Sequence, residues 1–303
     1  MEISPSSTCL QYQFRSVSLP SRLQHPQNTK VEAELTKLKT WQSSLDSSAV
    51  PTSGETIRMG LVGLAELYNC VEELINSPIT QQALVQHRKG ALVEEALEGS
   101  IGLLDSCNVA RDLSLMVKQN VQDLQSVLRR KGGDLTIERN ISGYNSSKKK
   151  AKKESAKCLR ALKKMENQIQ SRSLSDVMNY SLSNLVRVLR EVSIVTISVL
   201  ESYFLFLSVP DSRTRPGGWS LIKKLVVTRP RGHKIVNELG SVDVALQSLH
   251  GCIRNNIRNI DVQITRRRLD ALGDSMEGLE TGLDCLYRKL IRNRVSLLNI
   301  LAH

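Results

Sequence analysis

Five lysines in six positions, Lys148, Lys149, Lys150, Lys152 and Lys153, form the densest run of charge in the chain. Ammonium groups at that density serve one of three ends: a solvated helix face, electrostatic attachment to an anionic membrane surface, or a nuclear-import or nucleic-acid contact. Tyr144 is the only aromatic residue nearby, so bases would find nothing to stack on and sequence-specific nucleic-acid recognition is not expected. The charge is local: between Arg129 and Arg172 stand 14 Lys/Arg against four Asp/Glu, in a chain of net charge +12. A second candidate lies near the start, where Arg15-Ser16-Val17-Ser18-Leu19-Pro20 has the RSxSxP pattern read by 14-3-3 proteins. Phosphorylation of Ser18, flanked by Arg15 and Pro20, would supply the charge that an arginine cluster grips.

Catalytic chemistry has no comparable signature. The chain contains no GxGxxG, GxxxxGK[ST], HExxH or GxSxG pattern. Its five histidines, His25, His87, His233, His250 and His303, are scattered, and only His250 with Cys252 approaches a metal-like pairing, which on a helix face is ordinary packing. No catalytic residue, metal ligand or cofactor is expected. The six cysteines include no CxxC and no secretory signal precedes them, which points to reduced thiols inside the cell. A cytoplasmic location is the first expectation; membrane association, the nucleus and the chloroplast stay open.

The elements that must carry these residues are helical. Prolines stand at 5, 20, 26, 51, 78, 210, 216 and 230, leaving 79–209 and 231–303 free of them. The most apolar stretch, Val192 to Val209, carries Glu201 as its only charge. Eighteen residues is short for a spanning helix, and a carboxylate near its middle costs roughly 2.5–3.5 kcal/mol on insertion scales. A buried central helix over 174–208, started by Ser173 and Asp176 and stopped by Pro210, is therefore favoured over membrane insertion.

The remaining helices follow from apolar residues at steps of three and four. One covers 28–45 through Val31, Leu35 and Leu38. The next begins at a Thr52/Glu55 capping box and carries Ile57, Leu61, Leu64, Tyr68, Val71 and Ile75. Ser77-Pro78 ends it, and a short piece starts near Thr80. A long element over 91–131 includes Leu97, Ile101 and Leu104 and closes at Gly132-Gly133; Asp134 caps its successor, which bears the lysine run. Residues 210–232, with three prolines and three glycines, form a long connection, and two helices over 233–270 and 274–301 finish the chain. Gly278 and Gly282 form a GxxxG, but Glu277, Glu280 and Asp284 around it mark a soluble helix surface and not a membrane seam. The expected architecture is all-α: a Ser/Pro-containing tail over 1–27, then one elongated bundle of about six long helices over 28–303.

Six stretches, in order along the chain, carry a resemblance: Arg15–Pro26 (RSVSLPSRLQHP), Gly60–Val71 (GLVGLAELYNCV), Pro78–Ala83 (PITQQA), Leu103–Asp112 (LLDSCNVARD), Val121–Arg130 (VQDLQSVLRR) and Gly278–Leu301 (GLETGLDCLYRKLIRNRVSLLNIL). Together they resemble the plant BYPASS-like family, from near the start of the chain to its last residues. The resemblance implies a helical plant protein linked to root and shoot development, with relatives associated with restraining a mobile root-derived signal and some of them labelled chloroplastic. It supplies no catalytic or cofactor residue to carry over. The function expected is thus non-enzymatic regulation or scaffolding through amphipathic helices that engage protein partners. The alternative is a peripheral or integral membrane protein using Lys148–Lys153 and the apolar helix.

Overall fold

The computed structural model describes residues 26–47, 52–87, 91–130, 134–171, 180–208, 237–255 and 259–302. Eight helices account for nearly all of them: α1 (Pro26–Ser47), α2 (Gly54–Ile75), α3 (Pro78–Gln86), α4 (Ala91–Arg129), α5 (Asp134–Ser171), α6 (Tyr180–Leu207), α7 (Glu238–Asn255) and α8 (Asn259–Ala302). The fold is all-α, an elongated helical bundle. At 1.5 Å per residue α4 is roughly 58 Å long and α8 roughly 66 Å, and these two lie against each other.

Two packing relations organise the rest. Helix α8 receives α2, α4 and α7, and α6 lies against α1, α2, α3, α4 and α5. Most of the apolar face of α6 is in the core: Val192, Val195, Val199, Leu200, Tyr203, Phe204 and Phe206 are all buried. The hydroxyls that dilute this stretch are satisfied inside it. Ser193 donates to the Leu189 carbonyl at 2.8 Å, and Thr196 donates to that of Val192 at 2.7 Å. Back-bonding of this kind is how a buried helix tolerates Ser and Thr. Tyr203 joins α6 to α4, its hydroxyl 2.7 Å from Ser114 Oγ and donating to the Ala110 carbonyl at 2.9 Å. Tyr68 joins α2 to α6 through Thr196 Oγ1, 3.0 Å away.

Several boundaries depart from those the sequence suggests. Helix α2 is capped by Ser53, whose Oγ accepts from the Thr56 N–H at 3.2 Å, one residue beyond the expected Thr52. Ser77 caps α3, so Pro78 opens that helix at its first turn, where proline lacks nothing it needs, and Thr80 lies within it. At the end of the chain α8 runs unbroken through Gly273, where a division between two helices was expected. Among the described residues there are seven helices of 18 residues or more and the nine-residue α3, in keeping with the expected bundle of about six long helices.

The GxxxG on α8 is a packing seam and not an open surface. A Cβ at Gly282 would stand 2.9 Å from Leu61 Cδ1 and 3.0 Å from Leu61 Cβ, and one at Gly278 would stand 2.9 Å from Arg58 Cδ. Small residues let α2 and α8 approach there. The acidic neighbours mark the other side of the same helix: Glu277 is exposed, while Glu280 and Asp284 reach α4 by pairing with Lys118 at 2.6 Å and Arg111 at 2.5 Å.

Candidate functional site

The lysine run sits in the middle of α5, and the helix divides it. Lys148 follows Tyr144 by four residues and precedes Ala151 by three, which puts it on the buried stripe with Ile141 and Ser155. There it pairs with Asp243 of α7, the two side chains being only 11% and 9% exposed. The Tyr144 hydroxyl donates to the same carboxylate at 3.3 Å. Burial, and then the Asp243 charge, hold the Tyr144 hydroxyl well above its ordinary range. Lys148 is therefore a fastening between α5 and α7.

Lys149, Lys150, Lys152 and Lys153 are exposed, and so are Arg160, Lys163 and Lys164 further along the helix. Lys149, Lys153, Arg160 and Lys164 fall within about 60° of arc at 100° per residue, a stripe roughly 22 Å long. Among the described residues, Lys149, Lys150, Lys152, Lys153, Arg160 and Lys164 have no carboxylate at ion-pair distance, whereas Lys157 is held by Glu154 at 2.9 Å and Lys163 by Glu166 at 2.5 Å. Glu154 thus turns to Lys157, three residues on. The sequence showed five equivalent lysines because charge counting ignores helical phase. The phase of Ile141, Tyr144 and Ala151 was the signal that separates Lys148 from the others.

In the apolar stretch, Val192 is 1% exposed and lies in the core, while Glu201 is half-buried beside the end of α5. Burial raises the Glu201 carboxyl above its usual value, and Glu166 adds to this while Lys163 opposes it. Among the described residues no helix is long and apolar enough to cross a membrane. Val209, Arg15, Ser18 and Pro20, the Ser173/Asp176 start and the 210–232 connection lie outside the described residues. Among the described residues no three His, Cys, Asp or Glu side chains converge as metal ligands would. His250 Nδ1 lies 3.9 Å from Glu138 Oε1, beyond hydrogen-bond reach. Cys70, Cys107, Cys158 and Cys285 are free thiols.

One further site had no sequence signal. A partly open cleft of about 340 Å³ lies among α4, α5, α6 and α8. Its walls are mainly apolar, with Leu103, Val192, Leu290 and Leu297 behind and Met165 and Leu189 nearer the surface. Glu98, Lys164 and Gln168 also line it, while several other polar residues are tied down. Arg190 grips Glu95 with two hydrogen bonds of 3.2 and 3.0 Å, both side chains being less than one-sixth exposed. Arg294 donates to the Leu97 carbonyl and, at 2.7 Å, to Ser100 Oγ, which holds α8 to α4 beside Gly99. Asn293 donates through Nδ2 to the carbonyls of Tyr68 at 3.2 Å and Lys289 at 3.0 Å. Its Oδ1 is buried and has no hydrogen-bond partner.

The chain is thus an elongated all-α body fastened by interhelical ion pairs, with a cationic stripe on one long helix and a small cleft beneath another. Residues 60–300 match the family described as Protein BPS1, and the chain belongs to that family. This bears out the BYPASS-like resemblance over most of the chain. No curated protein matches the chain. No solved structure does either.

Proposed function

We propose that the protein is a non-enzymatic regulatory scaffold of plant root and shoot development, holding protein partners on its helix surfaces, with the α5 stripe as the docking face for an acidic partner. The observation that carries this reading is the sorting of charge. Buried charges such as Lys148–Asp243 and Glu95–Arg190 are spent joining helices, while unpaired cations gather on one exposed face. A lipid surface is the less favoured occupant, because the stripe has no large apolar side chain beside it to enter the acyl boundary; its exposed non-polar neighbours are Ala156 and Ala161. The developmental setting comes from the family.

The test is replacement of Lys149, Lys150, Lys152 and Lys153 by Gln, with Lys148 kept so that the core pair survives. In plants lacking the protein, the wild type is expected to restore root and shoot growth and the fourfold variant, equally folded, to fail. Full restoration by the variant, or saturable turnover of a small molecule by the pure protein, overturns the reading. Release of the protein from phosphatidylserine vesicles by the same substitutions, with no loss of a protein partner, would transfer the stripe to a membrane.

A further inference from the structure

We infer that the cleft among α4, α5, α6 and α8 binds a compact apolar carboxylic acid, its body against the aliphatic walls and its carboxylate on the Arg294 guanidinium. The inference goes beyond the docking face on α5. Lys164 belongs to both surfaces, but the four lysines whose replacement tests the docking face do not line the cleft, so the two readings fail separately.

Arg294 is a partly buried cation with no acid of its own. Nη1 donates to the Leu97 carbonyl and to Ser100 Oγ, which uses both donors of that nitrogen and leaves the charge opposite neutral groups. Among the described residues no carboxylate lies at ion-pair distance from it, whereas Arg190 in the same lining is neutralised by Glu95. The N–H groups on Nε and Nη2 have no acceptor among the described residues, and both nitrogens keep exposed surface that an incoming acceptor can reach. They are the parallel donors that a carboxylate meets with both of its oxygens.

The rest of the lining sets what accompanies that carboxylate. The volume, about 340 Å³, is at the small end of ligand sites, which run from roughly 300 to 1,000 Å³. Leu103, Leu290 and Leu297 wall the cleft on the inside, with Met165 and Leu189 nearer the surface. Among the described residues that line it, Lys164, Arg190 and Arg294 are positive and Glu95 and Glu98 negative, an excess that favours an anion over a cation. Lys164 and Glu98 are both exposed, where water and salt leave an ion pair little to contribute. The partly enclosed guanidinium therefore decides the sign of the ligand.

Gly99 lines the same cleft, and a Cβ there would meet nothing within 4 Å. Leucine at this position puts a side chain into the site without removing a charge. Helix propensity favours leucine over glycine, so Gly99→Leu is expected to fold at least as well as the wild type.

The experiment titrates full-length protein at pH 7 with 2-naphthoate and, separately, with 2-naphthamide, following the intrinsic fluorescence of each compound. The two share an apolar body and a planar head group, and only the first is charged. The expected result is saturable one-to-one binding of naphthoate and at least about 10-fold weaker binding of the amide. Arg294→Gln should lose at least about 10-fold in naphthoate affinity and bring the two probes close to equality. Gly99→Leu should lose at least about 10-fold for naphthoate at an unchanged or raised unfolding midpoint, and it leaves the bonds of Arg294 to α4 in place. The protein with Lys149, Lys150, Lys152 and Lys153 replaced by Gln should bind naphthoate as the wild type does. Absence of saturable naphthoate binding overturns the inference, and so does equal affinity for acid and amide. A folded Arg294→Gln that keeps the preference for the acid overturns it by assigning the carboxylate to another cation. Undiminished binding to Gly99→Leu, or loss of binding in the fourfold variant, has the same consequence, because the ligand then sits outside the cleft or on the α5 stripe.

Discussion

At the level of single residues, what decides behaviour is which polar groups the helices have enclosed. Asp243 is buried with Lys148 and Tyr144, and removing its charge takes from the enclosed Lys148 ammonium the carboxylate it pairs with. Breaking a buried pair from one side costs about 3–5 kcal/mol, so Asp243→Asn is expected to lose that much in urea unfolding. Replacing both members with apolar residues of similar size, as in Lys148→Met with Asp243→Leu, should recover most of the loss. A single-mutant loss under 1 kcal/mol would show that the pair does not fasten α5 to α7. The buried acids set a second expectation. Burial pushes the Cys107 thiol up to about 12 and raises the hydroxyls of Tyr68, Tyr144 and Tyr203 well above their ordinary values. Each folded value lies above its unfolded one, so the stability these groups contribute is complete below the unfolded pKa, ~8.5 for Cys and ~10 for Tyr, and is lost as pH rises through the folded value. The denaturation midpoint should hold up to about pH 8.5 and fall thereafter. Tyr203→Phe, which removes the hydroxyl that joins Ser114 Oγ and the Ala110 carbonyl to α6, should lose ~1–2 kcal/mol at pH 7 yet fall less steeply above pH 10. An identical alkaline slope in the two proteins would mean that Tyr203 ionises freely. None of these enclosures follows from residue type. Lys148 becomes legible once helical phase is applied, whereas the partnership of Tyr203 with Ser114 depends on how α6 crosses α4, which no local spacing encodes.

At the level of elements, the sequence carried more. Proline-free blocks and three-four periodicity mark α2, α4, α5 and α6, because an amphipathic helix writes its buried face into one segment. The boundaries that escaped are those where tertiary packing overrides a local signal. Gly273 reads as a break, yet inside α8 it lies against Val121 and Gln125 of α4, and the helix continues through it. Ile101 keeps the apolar rhythm of α4 but is 45% exposed; the face that packs is set by Leu103, Cys107 and Ala110, and a cysteine and an alanine add little to a hydrophobic pattern. The α2–α8 seam gives the test at this scale. At Gly282 an added methyl group meets Leu61 Cβ, which moves only with the α2 backbone, whereas at Gly278 it meets the flexible stem of Arg58. Overpacking costs about 1–3 kcal/mol, and Gly→Ala in a helix returns up to about 1 kcal/mol. Gly282→Ala should therefore destabilise the protein by up to about 2 kcal/mol, Gly278→Ala should be near neutral, and Gly99→Ala, which meets nothing, should stabilise it by about 1 kcal/mol. If thermal melts give the three substitutions the same effect, α2 and α8 do not approach at these glycines.

Over the whole molecule, charge and burial occupy different places, and that separation makes the surface testable apart from the fold. Helix α5 carries ten Lys/Arg against four Asp/Glu, half of the chain's net charge of +12, and most of those cations face outward. Each exposed lysine contributes at most about 1 kcal/mol to an ionic contact, so binding through the stripe must be the sum of several weak attractions. Such a sum responds to salt in a way that one buried pair does not, since the screening length falls from about 10 Å at 0.1 M to about 3 Å at 1 M. Binding of a 20-residue polyglutamate peptide to the full-length protein, measured by fluorescence anisotropy, should weaken at least 10-fold between 50 and 500 mM NaCl. With Lys149, Lys150, Lys152 and Lys153 replaced by Gln, affinity at 50 mM should drop by a comparable factor and the salt dependence should flatten. Thermal stability should respond little to either change, because the pairs that hold the helices together, Lys148–Asp243 and Glu95–Arg190, are shielded from the ions. A peptide that bound the Gln variant as tightly and with the same salt dependence would mean that the acidic partner sits elsewhere, and that the α5 stripe does no more than keep a long helix in solution.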